Sequence, residues 1–233
     1  MLLALLKTMR PRQWTKNVFV LAPLVFDGQL FNRKPLLISL FAVVLFCLLS
    51  SSVYIFNDLL DIEADRKHPI KRFRPIPSGQ LPTKVAIGAL IVLLVVTLSL
   101  GFLISNRFVV VAAFYFLLNI AYTKWLKHIP LIDVFTIAAG FVLRVLAGVA
   151  SIVVQQFSPW LYVVMSLLAL YLGFGKRRAE LASLANDGNS YRRVLEGYTL
   201  PLLDQLIIIM TAERWSPIAC TLSCRQLLPE TTL

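Results

Sequence analysis

The chain has 233 residues, of which 58% are hydrophobic and only 15% charged, an apolar share above that of ordinary soluble domains. The formal charge of +11 sits in short clusters between apolar runs and not on one face of a soluble domain. That pattern argues against a nucleic-acid-binding protein and favours a membrane, with anionic lipids and phosphorylated compounds as partners. The three cysteines build no framework: Cys47 lies in an apolar run, and Cys220 and Cys224 stand in the C-terminal tail without histidines nearby.

The opening segment carries Lys7, Arg10, Arg12 and Lys16 after one apolar turn. It lacks the order of a cleaved signal peptide and is expected to persist as an interfacial amphipathic helix. A membrane helix needs about 20 apolar residues. Runs of that kind are predicted over 35–56, 84–104, 108–122, 133–154 and 159–174, with weaker ones over 17–31, interrupted by Pro23, and 200–211. The fold class expected is all-α, a polytopic bundle of about seven spans. Lysines and arginines alternate between rich and poor connections without a break, seventeen on the side of the N-terminus and three on the other. The rich side is therefore expected to be cytoplasmic, with the protein in the inner membrane. Residues 1–212 read as a single domain and 213–233 as an atypical tail, because the apolar run that begins at Leu200 ends near Thr211.

The strongest local signal is Asn57-Asp58-Leu59-Leu60-Asp61-Ile62-Glu63-Ala64-Asp65, at the basic-rich end of the second span. A helix continuing through it places Asp58, Asp61 and Asp65 on one face and Glu63 roughly opposite. Three aligned carboxylates at a helix C-terminus repel one another and the macrodipole. Mg²⁺ suits them, since it takes oxygen ligands and commonly binds one or two carboxylates together with substrate phosphates. The alternative is a solvated acidic helix end neutralised by Arg66, Lys67, Lys71 and Arg72.

The Asn-Asp-x-x-Asp-x-x-x-Asp pattern and its continuation, Arg66-Lys67-His68-Pro69-Ile70-Lys71-Arg72-Phe73-Arg74-Pro75-Ile76-Pro77-Ser78-Gly79, resemble the UbiA-type polyprenyltransferase superfamily. The opening Arg10-Pro11-Arg12-Gln13-Trp14-Thr15-Lys16-Asn17, the stretch from Tyr122 to Asp133 and the Lys176-Arg177-Arg178-Ala179-Glu180 segment are similar to its decaprenyl-phosphate phosphoribosyltransferase branch. The resemblance implies a family core of nine transmembrane helices, against which this chain reads as shortened at its C-terminal end. It also implies catalytic and metal-binding roles for Asp58, Asp61 and Asp65, substrate-binding roles for Asn57 and Tyr122, and a place in cell wall biosynthesis. Where prenyl-diphosphate enzymes of the superfamily carry a second acidic motif, this chain offers Asp133 with Lys124 and Lys127.

One metal and many cations suit a phosphoribosyl donor, with phosphate at both ends of the sugar, and a polyprenyl phosphate acceptor. Arg66, Lys71, Arg72, Lys124, Lys127, Lys176 and Arg177 are expected around the phosphates, with Arg12 and Lys16 approaching from the N-terminal segment. Each could instead serve only as a topology signal. Asp133, Gly140, Arg144 and Ser151 fall within about 40° of one another on an ideal helix. An intramembrane arginine on such a stripe faces a bundle interior or an aqueous cavity, so Asp133 and Arg144 are expected among the substrate-binding residues, while His68 and His128 read as interfacial, not catalytic. The expected activity is Mg²⁺-dependent transfer of a 5-phosphoribosyl group from phosphoribosyl diphosphate to decaprenyl phosphate, releasing diphosphate at the cytoplasmic face. Prenyl transfer from prenyl diphosphate to an aromatic or quinone precursor, and a transporter or lipid carrier, stand as alternatives. The sequence leaves homo-oligomerisation open.

Overall fold

The structure, a computed structural model, describes residues 1–154, 159–187, 195 and 197–211; the tail 213–233 with Cys220 and Cys224 lies outside the described residues. Every described element is helical: α1 (Leu2–Met9), a 3-10 helix (Pro11–Leu21), α2 (Ala22–Phe26), α3 (Arg33–Leu60), α4 (Ile62–Lys67), α5 (Thr83–Gly101), α6 (Asn106–Lys124), α7 (Ile132–Ser151), α8 (Pro159–Asp187) and α9 (Leu200–Thr211). Four of these, α3, α5, α6 and α7, are long and apolar enough to cross a membrane. Residues 17–31, expected as one weak span, form instead the end of the 3-10 helix, the five-residue α2 and a turn. Pro11 and Pro23 each remove a backbone donor there, which favours such short pieces over a continuous helix.

The chain groups into two compact units, Met1–Thr123 with Leu143–Gln155, and Lys124–Val142 with Gln156–Leu233. In the first, Phe46 of α3 is fully buried among Val20, Leu45, Leu49, Phe108, Tyr115 and Ala147. Its ring meets Phe108 edge-on at 5.9 Å and Tyr115 tilted at 5.3 Å, geometries that the aromatic quadrupole favours. Buried residues make up 56% of the apolar stretch of α3 but only 17% of that of α5 and 22% of that of α6. Helix α3 is therefore a core helix, while the outward faces of α5 and α6, with Ile91, Val95, Val110 and Leu117 exposed, are built for a lipid solvent. In the second unit Val134, Ala138, Leu170, Phe174 and Leu203 form the apolar centre.

Small residues fix two close approaches. A Cβ on Gly148 of α7 would lie 2.1 Å from the Val20 carbonyl oxygen, and one on Gly173 of α8 would lie 2.5 Å from a Val134 methyl. Glycine is what lets the α7 backbone meet the Val20 carbonyl and lets the Val134 side chain pack against the α8 backbone.

Candidate functional site

Helix α3 ends because Asp61 leaves the helical region, at φ −93° and ψ 11°, and α4 restarts at Ile62. The expected uninterrupted helix through the acidic motif is thus broken at its middle carboxylate. Asp58, in the last turn of α3, and Asp65, in α4, are both buried. Asp61 stands at the bend with its side chain partly exposed.

Two basic residues outside the expected set complete the arrangement. After α4 the chain turns back through the buried segment Pro75–Ile76–Pro77, reversing at Gly79, whose φ of +80° suits glycine. Backbone bonds from Ser78 to Arg74 (3.0 Å) and from Leu81 to Pro75 (2.9 Å) hold this turn, and Ile76 and Leu81 pack with Met9 and Ile55. Arg74 is thereby aimed at the acidic pair: its Nη1 donates to Asp58 Oδ1 at 3.2 Å and to Asp65 Oδ2 at 2.6 Å. One nitrogen within reach of an oxygen from each carboxylate marks a point on which both converge.

Arg10 approaches Asp58 from the other end of the chain. It ends α1 in the left-handed region (φ 54°, ψ 63°), a conformation unusual for a residue other than glycine or asparagine. Its Nη2 donates to Asp58 Oδ1 at 2.5 Å, and its guanidinium lies 5.0 Å from the centre of the Tyr54 ring. The following 3-10 helix is fastened to α3 by Trp14 Nε1 to Ser51 Oγ (3.0 Å) and Asn17 Nδ2 to Ser50 Oγ (3.0 Å).

Asn57 Oδ1 accepts from Thr123 Oγ1 at 2.6 Å, joining α3 to α6. Arg66 bonds Glu63 (3.1 Å) and the Pro77 carbonyl (3.4 Å), while Lys71 and Arg72 are exposed, the latter stacked on Phe73. Arg12 and Lys16 lie exposed on the 3-10 helix, and Tyr122 is half-buried near the end of α6. His68 Nδ1 accepts from the amides of Ile70 and Lys71 at 3.2 and 3.3 Å, a turn-capping role. Arg144 is buried; its Nε donates to Asn17 Oδ1 at 2.9 Å and its Nη2 to Tyr115 Oη at 2.8 Å.

In the second unit Asp133 is fully buried. Its Oδ2 accepts from Arg177 Nε at 2.8 Å and its Oδ1 from Tyr198 Oη at 2.5 Å. Tyr198 Oη in turn accepts the Leu131 amide at 2.7 Å, at a residue with φ 67°. Burial, and then donation to Asp133, hold the Tyr198 phenol well above its ordinary ionisation range. Arg177 also reaches Glu180 at 2.5 Å. Lys176 is exposed, 3.9 Å from Glu180; Lys124 is exposed beside Trp125 and Lys127 is half-buried.

Among the described residues no three carboxylate, imidazole or thiol groups are gathered so as to hold a metal ion by themselves. The Asp58 and Asp65 oxygens nevertheless fit a hard divalent cation that completes its shell with substrate phosphates and water, because they already converge on a single positive nitrogen.

Long apolar helices that carry a buried carboxylate pair with arginine partners define a membrane protein with ionised groups held in its interior. Residues 18–176 match the UbiA prenyltransferase family model, and the chain belongs to that family. It is 37% identical over 199 residues to decaprenyl-phosphate phosphoribosyltransferase of Corynebacterium glutamicum, covering 84% of this chain and 60% of the relative. It is 38% identical over 199 residues to the protein of the same name in Mycolicibacterium smegmatis, covering 84% of this chain and 62% of the relative. The chain therefore spans about three-fifths of the length of these curated relatives. In fold it is similar to a UbiA homologue from Archaeoglobus fulgidus solved bound to GPP and Mg²⁺, with a TM-score of 0.73 and 20% identity, covering 94% of this chain and 77% of that one.

Proposed function

We propose that this chain transfers a 5-phosphoribosyl group from phosphoribosyl diphosphate to a polyprenyl phosphate, such as decaprenyl phosphate, in a Mg²⁺-dependent reaction at the cytoplasmic face of the inner membrane. The observation that carries the reading is the convergence of Asp58, at the end of α3, and Asp65, in α4, on the single Arg74 nitrogen. The choice of substrates is supported by the two relatives named for that activity, and the choice of metal by the Mg²⁺-bound neighbour.

In this reading Asp58 and Asp65, with Asp61 at the bend beside them, hold the divalent cation. That cation supplies positive charge for the donor's diphosphate. Lys71 and Arg72 on the turn after α4, with Arg12 and Lys16 on the 3-10 helix, are exposed donors for phosphate oxygens. The sequence further assigns phosphate binding to Arg66, Lys124, Lys127 and Lys176, and substrate contact to Asn57 and Tyr122. Arg144 and the Asp133–Arg177 pair, buried and hydrogen-bonded within the chain, fix the helices that carry them.

In the transfer, a phosphate oxygen of the lipid forms the bond to the anomeric carbon of ribose and the bond from that carbon to diphosphate breaks. A phosphate monoester with a second pKa of about 6 is already largely anionic near neutrality. No strong general base is required, and the protein contributes orientation and electrostatic stabilisation.

The test offers purified protein with Mg²⁺ two substrate pairs: phosphoribosyl diphosphate with polyprenyl phosphate, and prenyl diphosphate with an aromatic acceptor. Lipid-linked phosphoribose from the first pair alone is the expected outcome. Consumption of the second pair in its place would replace this reading with prenyl transfer.

A further inference from the structure

We propose that Arg74 is a built-in counter-cation, which holds Asp58 and Asp65 together when no metal is bound and must leave them when a divalent cation binds. The inference rests on the reading of these two carboxylates as metal ligands and adds a competing residue within the chain. Both aspartates are almost wholly buried, and two unpaired carboxylates so close in a poorly hydrated place would repel each other strongly. Arg74 removes that cost through one nitrogen that bonds an oxygen of each. A cation taking those same oxygens at about 2.0–2.1 Å, the Mg²⁺ distance, would need the space that Nη1 fills. Arginine and metal are therefore alternatives at this position.

Arg74 and Arg10 differ in how readily they can be exchanged. Arg10 bonds Asp58 alone and is also stacked over Tyr54. Arg74 belongs to the turn between α4 and α5 and is partly exposed, and among the described residues its side chain bonds the two carboxylates alone. Release of Arg74 would leave Arg10 on Asp58 Oδ1, the oxygen the two arginines share, and free a guanidinium well matched to phosphate oxygens. Arg74 is thus a positioning residue: it keeps the ligands prearranged and sets the affinity for the metal.

The decisive measurement is Mn²⁺ affinity without substrate, read by electron paramagnetic resonance on purified protein in detergent, for wild type, Arg74→Gln, Arg74→Lys and Asp65→Asn. Loss of one charge-assisted competitor is expected to tighten Mn²⁺ binding by roughly tenfold in Arg74→Gln, with Arg74→Lys between it and wild type. Asp65→Asn is expected to lose this binding. Should Arg74→Gln not fold, the order of Arg74→Lys and wild type decides. Wild-type binding that Asp65→Asn abolishes but that Arg74 substitution leaves unchanged or weakens would overturn the counter-cation role and spare the metal reading. No Asp65-dependent binding in any form would overturn both.

Discussion

Asp58 and Asp65 are buried carboxylates whose charge is balanced within the chain by Arg10 and Arg74. Replacing Asp65 by Asn keeps the shape and removes the charge, so transfer activity is expected to fall by about 100-fold or more, the scale of losing one preorganised electrostatic group. Radiolabelled or mass-spectrometric turnover at saturating Mg²⁺ checks this. Tyr198→Phe removes the donor to Asp133 Oδ1 and the acceptor of the Leu131 amide; a loss of about 1–3 kcal/mol is expected from leaving buried polar groups unsatisfied, read as a lower unfolding temperature. The raised ionisation of Tyr198 has a definite sign: the unfolded phenol ionises first, so its contribution is complete below about pH 10 and declines as pH rises through the folded-state value. Tyr198→Phe should flatten the alkaline part of the stability curve, and an unchanged curve would remove Tyr198 as its cause. The acidic motif and its basic surroundings were legible in the sequence, but the partners were not. Arg74 is brought back by a proline-rich turn, and Arg10 acts through a left-handed conformation that its type does not announce; only Pro11 after it signals that α1 must stop there.

Among the helices, the long runs over α3, α5, α6 and α7 follow directly from hydropathy, because burial in lipid demands length more than detailed pattern. The first weak run was less legible. Asn17 and Trp14 spend their donors on Ser50 and Ser51 of α3, so tertiary bonds hold residues 11–21 as a 3-10 helix. The break at Asp61 was equally hidden, since its 3.6-residue spacing is compatible with an unbroken helix. Glycine positions separate packing from local preference. Gly148→Ala would drive a methyl against the Val20 carbonyl, and a destabilisation of about 1–3 kcal/mol is expected. Gly88→Ala in α5, where nothing lies within 4 Å, is expected to be neutral or to stabilise by up to about 1 kcal/mol through helix preference. Thermal unfolding of the two variants side by side checks the contrast; equal shifts would contradict the close approach of α7 to the 3-10 helix.

For the whole molecule, membership of the UbiA prenyltransferase family agrees with the resemblance carried by the motifs, and the helical architecture of the described residues agrees with the expected all-α class, with four helices long and apolar enough to cross a membrane where about seven spans were expected. The distribution of basic residues among the connections predicts an orientation. In a background without its native cysteines, a cysteine at Arg72 is expected to label only from the cytoplasmic side and one at Arg107 only from the opposite side; the reverse pattern would invert the topology. The most direct test of the central claim is product formation from phosphoribosyl diphosphate and polyprenyl phosphate by the purified protein, with Mg²⁺ or with chelator, in wild type and Asp58→Asn. Lipid-linked phosphoribose that requires both the metal and Asp58 is the expected result. Product formed equally in chelator, or undiminished in Asp58→Asn, would contradict it.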